Sequence, residues 1–219
     1  MGPERPETAL VPNEASDGRT LRRQGRETMA RLLDAAVIAL EQTGYHATRV
    51  DDVVRLAGVS HGTFYLYFPN KEALFRAVAE RCVEETAELA NSLGAVAPDE
   101  SGVATLETWL GDFLALYRRS GAVIRAWSEQ QTTDRSLGLL GARSFGRISR
   151  TLRARLPFRP GDTDRDVELR ASAMLAMIER FAAAVTTRDL GMTDADVVAR
   201  LAPAVHRGFF RTNTPAAVS

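Results

Sequence analysis

Four side chains that donate or accept hydrogen bonds, Ser60, His61, Thr63 and Tyr65, fall within a single six-residue stretch, with Gly62 among them. The stretch follows directly on Ala57-Gly58-Val59. Those three residues suit a tight turn between two crossing helices. Ala57 is small enough for close approach, Gly58 supplies a positive φ, and Val59 packs the turn inward. Ser60 then satisfies the first free amides of the second helix. A helix begun this way presents its N-terminal side chains outward, and polar groups there match the donor and acceptor pattern of base edges in a major groove. Gly62 permits close approach, and Phe64 and Phe68 are read as the inward anchor. Thr48, Tyr67 and Lys71 are spaced to reach phosphates on either side of the groove, and Arg49 adds a cation beside Thr48. The expected DNA-contacting set is therefore Thr48, Arg49, Ser60, His61, Gly62, Thr63, Tyr65, Tyr67 and Lys71.

Charge is distributed in keeping with that set. The chain of 219 residues has a formal net charge of zero. Residues 1–18 hold one basic and four acidic residues, whereas residues 19–71 hold eight basic against five acidic. The remaining residues balance at 19 of each, so the positive surplus is local to the turn. Lys71 is the sole lysine. Arg19, Arg22, Arg23 and Arg26 fit either an arm reaching the minor groove or backbone, or a solvated helix start.

Other chemistries find little support. His46, His61 and His206 are far apart and lack metal-ligand spacing, so no metal is expected. Cys82 is the only cysteine, and it stands in no nucleophile motif. There is no glycine-rich phosphate loop and no Gly-x-Ser-x-Gly, so neither a catalytic residue nor a cofactor is expected. An enzyme and a helical interaction module without DNA binding are the rival classes. One cysteine, a polar N-terminus and the absence of an 18-residue uncharged apolar run lead to the expectation of a cytoplasmic protein with no membrane partner.

The elements that must position these residues read as helices throughout. Residues 1–18, with Pro3, Pro6 and Pro12, are expected to be a disordered tail. Met29, Leu32, Leu33, Ala36, Val37 and Leu40 mark a first helix that Gly44 ends. Thr48 is expected to cap a second, Ser60 a third, and Asn70 a long fourth reaching about residue 93. Further helices are expected over about 101–119, 121–131, 134–155, 163–188 and 193–210. The prediction is an all-α protein of about nine helices. A three-helix DNA-binding domain spans 19–70, a larger helical domain 71–213, and a frayed terminus 214–219.

Gly44-Tyr45-His46-Ala47-Thr48, then Val53, then the run from Ala57 to Leu74 resembles the TetR family of bacterial transcription regulators. Two departures stand out: His61 replaces a frequent Lys or Arg, and Val54 an Ala. The resemblance implies a repressor that binds a palindromic double-stranded operator as a homodimer through its last two helices. It also implies a small effector held among the middle helices. Trp109, Phe113, Tyr117, Trp127, Phe145, Met174, Met177 and Phe181 are the candidate lining, which suits an apolar or aromatic effector. The implied mechanism is that effector binding tilts the fourth helix. Recognition helices must stand about 34–36 Å apart to enter successive major grooves, so the tilt releases DNA.

Overall fold

The computed structural model describes residues 14–130, 135–188 and 191–211. Most of the expected tail and all of the expected frayed terminus lie outside the described residues. Eight α-helices and a terminal π-turn occur, with no strand among the described residues. They are α1 (Glu14–Ala47), α2 (Val50–Ala57), α3 (His61–Tyr67), α4 (Lys71–Ser92), α5 (Glu100–Gln130), α6 (Arg135–Arg153), α7 (Asp164–Thr187), α8 (Asp194–Val205) and the π-turn His206–Phe210. The all-α class expected from the sequence is thus found. No helix among the described residues is long and apolar enough to cross a membrane.

Local chemistry sets most helix ends. Gly44 interrupts α1 at φ 74° and ψ 171°, where an L side chain is disfavoured. Gly58 closes α2 in the left-handed region at φ 63° and ψ 39°, its N–H reaching the carbonyls of Arg55 and Val54. Ser60, Asn70, Thr163 and Thr193 each accept a hydrogen bond from the amide three residues on. Asp166 and Asp196 reciprocate, and the threonine hydroxyls hold their carboxyls below the usual range.

Two expectations fail. Thr48 does not cap α2; Arg49 occupies that position at φ −116° and ψ 157°. The Thr48 hydroxyl instead donates to the Gly44 carbonyl at 2.6 Å and lies 3.0 Å from Thr43 Oγ1. That carbonyl also accepts the Thr48 backbone N–H at 3.1 Å, so Thr48 closes the end of α1 with both its N–H and its hydroxyl. The second failure is the break expected between the helices at about 101–119 and 121–131: α5 runs unbroken through it, Gly121 included. A mid-helix glycine costs only about 1 kcal/mol relative to alanine, and burial on both sides of it outweighs that.

That burial explains how the molecule is built. One core gathers α1, α2 and α3 around Leu32, Val53 and Phe64, together with Leu74 and Val78 of α4 and Val123 and Ala126 of α5. The other gathers Ala87 and Ala90 of α4 with Leu106, Leu110 and Phe113 of α5 and the buried faces of α6, α7 and α8. α4 and α5 therefore each belong to both cores. A shift of either helix is felt in both halves, because close-packed interiors transmit strain rather than absorb it.

Candidate functional site

The α2–α3 unit is anchored by Phe64, which has no solvent exposure, and by Phe68, with ring centroids 5.9 Å apart. Packing of these rings against Val53, Val54 and Ala57 fixes which side of α3 faces out. Ser60, His61, Gly62 and Tyr65 are exposed there, while Thr63 and Tyr67 are half-buried. Ser60 Oγ lies 3.0 Å from Thr63 Oγ1, so the two hydroxyls are already oriented by each other. His61 Nε2 lies 2.5 Å from Asp51 Oδ1 of α2, an exposed pair that ties the outer face of α3 back to α2. Leu66 is 84% exposed and was not anticipated. An isolated leucine reads as core, but it follows Phe64 by two positions and so points about 200° round the helix from that anchor.

Two expected phosphate contacts are occupied elsewhere. Thr48 is buried, with its hydroxyl turned into α1. Lys71 is half-buried, and Nζ donates to the carbonyls of Tyr45 at 3.0 Å and Thr48 at 3.2 Å while lying 4.6 Å above the Tyr45 ring. It clamps the α1–α2 link to the start of α4. Lys71→Met is therefore expected to lower stability by about 1–2 kcal/mol, since two carbonyls lose a charged donor. Denaturant unfolding measures this; unchanged stability, with a salt dependence of DNA binding shallower by about one unit, would instead make Lys71 a phosphate contact. Arg49 is exposed beside this clamp. Arg23 and Arg26 are exposed on α1, Arg23 pairing with Glu27 at 3.5 Å. The side chains of Arg19 and Arg22 lie outside the described residues.

The second feature is a cavity of about 280 Å³ between α4, α5, α6 and α7. Phe113, Tyr117, Trp127 and Phe145 are among its lining residues. Trp109, Met174, Met177 and Phe181 are not. Trp109 is buried with Nε1 donating to the Leu89 carbonyl at 2.7 Å, and Met174 is wholly buried in core. Met177 points outward at 39% exposure, and Phe181 packs on the core beside α8. The lining also includes Cys82, Thr86, Ser120, Ser144 and Glu179, which hydrophobic periodicity does not reveal. Burial pushes the Cys82 thiol up. Desolvation raises Tyr117, with the Glu179 charge adding to it. Glu179 stands at the rim: solvent reaches the residue, yet partial desolvation raises its carboxyl, opposed by Arg180.

The remaining histidines are engaged structurally. His46 Nε2 lies 3.3 Å from Gln130 Nε2, and buried His206 contacts the Ala97 carbonyl at 2.7 Å. Among the described residues no cluster of His, Cys, Asp or Glu is placed to hold a metal.

The three-helix head with its glycine turn and outward α3 coincides with the segment that a known family profile matches. The family described as "Bacterial regulatory proteins, tetR family" matches residues 32–78. Residues 32–78 thus form a TetR-family head. The uncharacterized HTH-type transcriptional regulator YvdT of Bacillus subtilis is 31% identical over 99 residues, 45% of this chain and 50% of that protein. The fatty acid metabolism regulator protein of the same organism is 44% identical over 50 residues, 23% of this chain and 26% of that protein. The chain thus spans between a quarter and a half of the length of these curated relatives. The crystal structure of FadR from Bacillus subtilis in complex with stearoyl-CoA aligns with a TM-score of 0.60 at 21% identity, covering 81% of this chain and 95% of that one. At that identity the likeness is one of TetR-family fold.

Proposed function

We propose that this chain is a transcriptional repressor that binds a palindromic operator as a homodimer and leaves DNA when a small effector occupies the α4–α7 cavity. The observation that carries the reading is the buried Phe64 anchor beneath an α3 surface exposing Ser60, His61, Gly62 and Tyr65. Thr63 and Tyr65 read base edges, Leu66 makes apolar contact such as a thymine methyl accepts, and Arg49 and Tyr67 meet phosphate. Thr48 and Lys71 act indirectly by holding the α1–α2 link in place. DNA as target puts the site of action in the cytoplasm.

A single head reads too few base pairs, so two copies are required. In α7, α8 and the terminal π-turn, Ala171, Ala182, Val197, Val198, Val205 and Phe210 are buried within one chain and so are not free to meet a second copy. The outward stripe is instead Leu169, Ala173, Ala176 and Met177 of α7, with Ala195 and Ala199 of α8. Leu169 at 71% exposure and Met177 at 39% are large apolar side chains that a self-complementary contact would cover.

α4 links the two sites. Cys82, Val83 and Thr86 face the cavity, while the neighbouring Arg81 holds Asp34 of α1 at 2.7 Å and Lys71 holds the α1–α2 link. An effector that fits better when α4 is displaced moves the head with it, and it releases DNA by its differential affinity for the two arrangements. The test is operator affinity against salt. With Arg49 and the α1 arginines contributing from both protomers, log K is expected to fall with log salt at a slope of about −3 to −6. A flat response would favour the interaction-module class and sink this reading.

A further inference from the structure

The cavity's polar chemistry is more specific than its apolar shape. Resting on the effector reading above, we propose that the α4–α7 cavity takes a cationic amphiphile, a protonated amine on an aromatic or aliphatic body, with the ammonium at Glu179. Glu179 is the sole charged residue in the lining, and no Arg, Lys or His lines the cavity among the described residues. Its carboxylate has no hydrogen bond or ion pair among the described residues.

Accounting for the donors makes the same point. Trp127 Nε1–H donates to the Leu137 carbonyl at 3.0 Å, the Ser144 hydroxyl to the Leu140 carbonyl at 2.7 Å, and the Thr86 hydroxyl to the Cys82 carbonyl at 2.7 Å. These protons are spent within the protein. What remains toward the cavity is the Tyr117 hydroxyl, the Cys82–Ser120 pair, ring faces and one carboxylate. The wall offers neutral donors only and carries a single negative charge. A ligand carboxylate or phosphate would lose its water, find no cationic donor and meet a like charge. An ammonium supplies the opposite charge, and ring faces attract it further. Arg125 and Arg180 lie close enough to influence Tyr117 and Glu179, but both stand outside the lining. A bound cation offsets the partial desolvation of the Glu179 carboxyl.

Calorimetric titration of the full chain with three matched probes tests this. They are 4-phenylbutylamine, a cation at neutral pH; pentylbenzene, its neutral isostere; and 4-phenylbutanoate, an anion. The amine is expected to bind at least about tenfold more tightly than pentylbenzene, as a partly desolvated ion pair with ring contacts would give, and the anion most weakly. Glu179→Gln is expected to bring the amine down to the affinity of pentylbenzene without changing the latter. Gly141→Leu, which builds side chain toward Trp127 from a Cβ position 3.5 Å from its ring, is expected to abolish binding of all three. Equal affinities in the unmodified chain overturn the charge assignment and leave the cavity a neutral-ligand site, and a cation preference that survives Glu179→Gln overturns the assignment of the ammonium to Glu179. Binding of none of the probes overturns the cavity reading itself.

Discussion

Gly102→Ala is expected to destabilise the chain by about 2–4 kcal/mol, whereas Gly111→Ala on the same helix is expected to stabilise it slightly. Gly102 lies in the first turn of α5, its N–H bonded to the Asp99 carbonyl at 3.1 Å. A Cβ there would meet the Ala97 carbonyl oxygen at 1.9 Å and both Ala97 C and His206 Nε2 at 2.9 Å. The obstacle is backbone, and that backbone is held: the same Ala97 oxygen bonds buried His206 at 2.7 Å. To make room, the α4–α5 connection must move by roughly an ångström and break this bond. Overpacking of this kind costs about 1–3 kcal/mol, and a buried group losing its partner about 1–3 kcal/mol. At 2–4 °C per kcal/mol for a chain of this size, Tm is expected to fall by about 4–16 °C. A Cβ at Gly111 meets nothing within 4 Å. Alanine there only restricts the unfolded chain and improves helix propensity, a gain of about 0.4–1 kcal/mol. Thermal melts of the two variants should therefore move in opposite directions, and a shift of the same sign in both would contradict the tight turn under His206.

What could be read in advance follows how local each requirement is. Gly58 and Ser60 were legible because a left-handed backbone and a free helix amide each demand particular residue types. The importance of Thr48 and Lys71 was legible and their direction was not. Pattern marks the positions, but the Gly44 carbonyl four residues back takes the Thr48 hydroxyl, and the carbonyls of Tyr45 and Thr48 with the Tyr45 ring, distant in sequence, take Lys71. Residues 101–119 and 121–131 read as two helices, yet α5 is one helix because two separate cores bury its halves, and no window of local sequence contains that fact. The cavity divides in the same way. Aromatic spacing shows which faces are apolar, but whether an apolar face is filled depends on the neighbouring helix. Trp109 and Met174 are filled in; Tyr117 and Trp127 border a space. Glu179 was the least visible, since a single acid on α7 acquires meaning only from what α4, α5 and α6 leave unpaired around it.

Phe64→Ala and Tyr65→Ala, adjacent on α3, are expected to separate folding of the head from reading by it. Phe64 is fully buried, packed at 5.9 Å from Phe68 and edge-on to Tyr65 at 5.3 Å. Truncating a buried phenylalanine costs about 3–5 kcal/mol in lost transfer energy and cavity formation. The core it leaves joins only short helices to α1, α4 and α5, so little else holds α3 in place. The expected result is loss of the thermal transition of the head and of all operator binding. Tyr65 is 56% exposed, and its ring contributes little to that core. Tyr65→Ala should leave stability within about 0.5 kcal/mol. If Tyr65 meets a base edge, the same change weakens operator binding by about 1–3 kcal/mol, roughly 5- to 150-fold, and more for the cognate site than for unrelated DNA. Melting curves and gel shifts on both sequences measure the two effects separately. Undiminished operator affinity in a folded Tyr65→Ala variant would remove Tyr65 from the reading surface. A Phe64→Ala variant melting like the unmodified chain would mean that α3 is held by contacts other than its buried ring, and with it the mechanical link from α4 to the head would lose its footing.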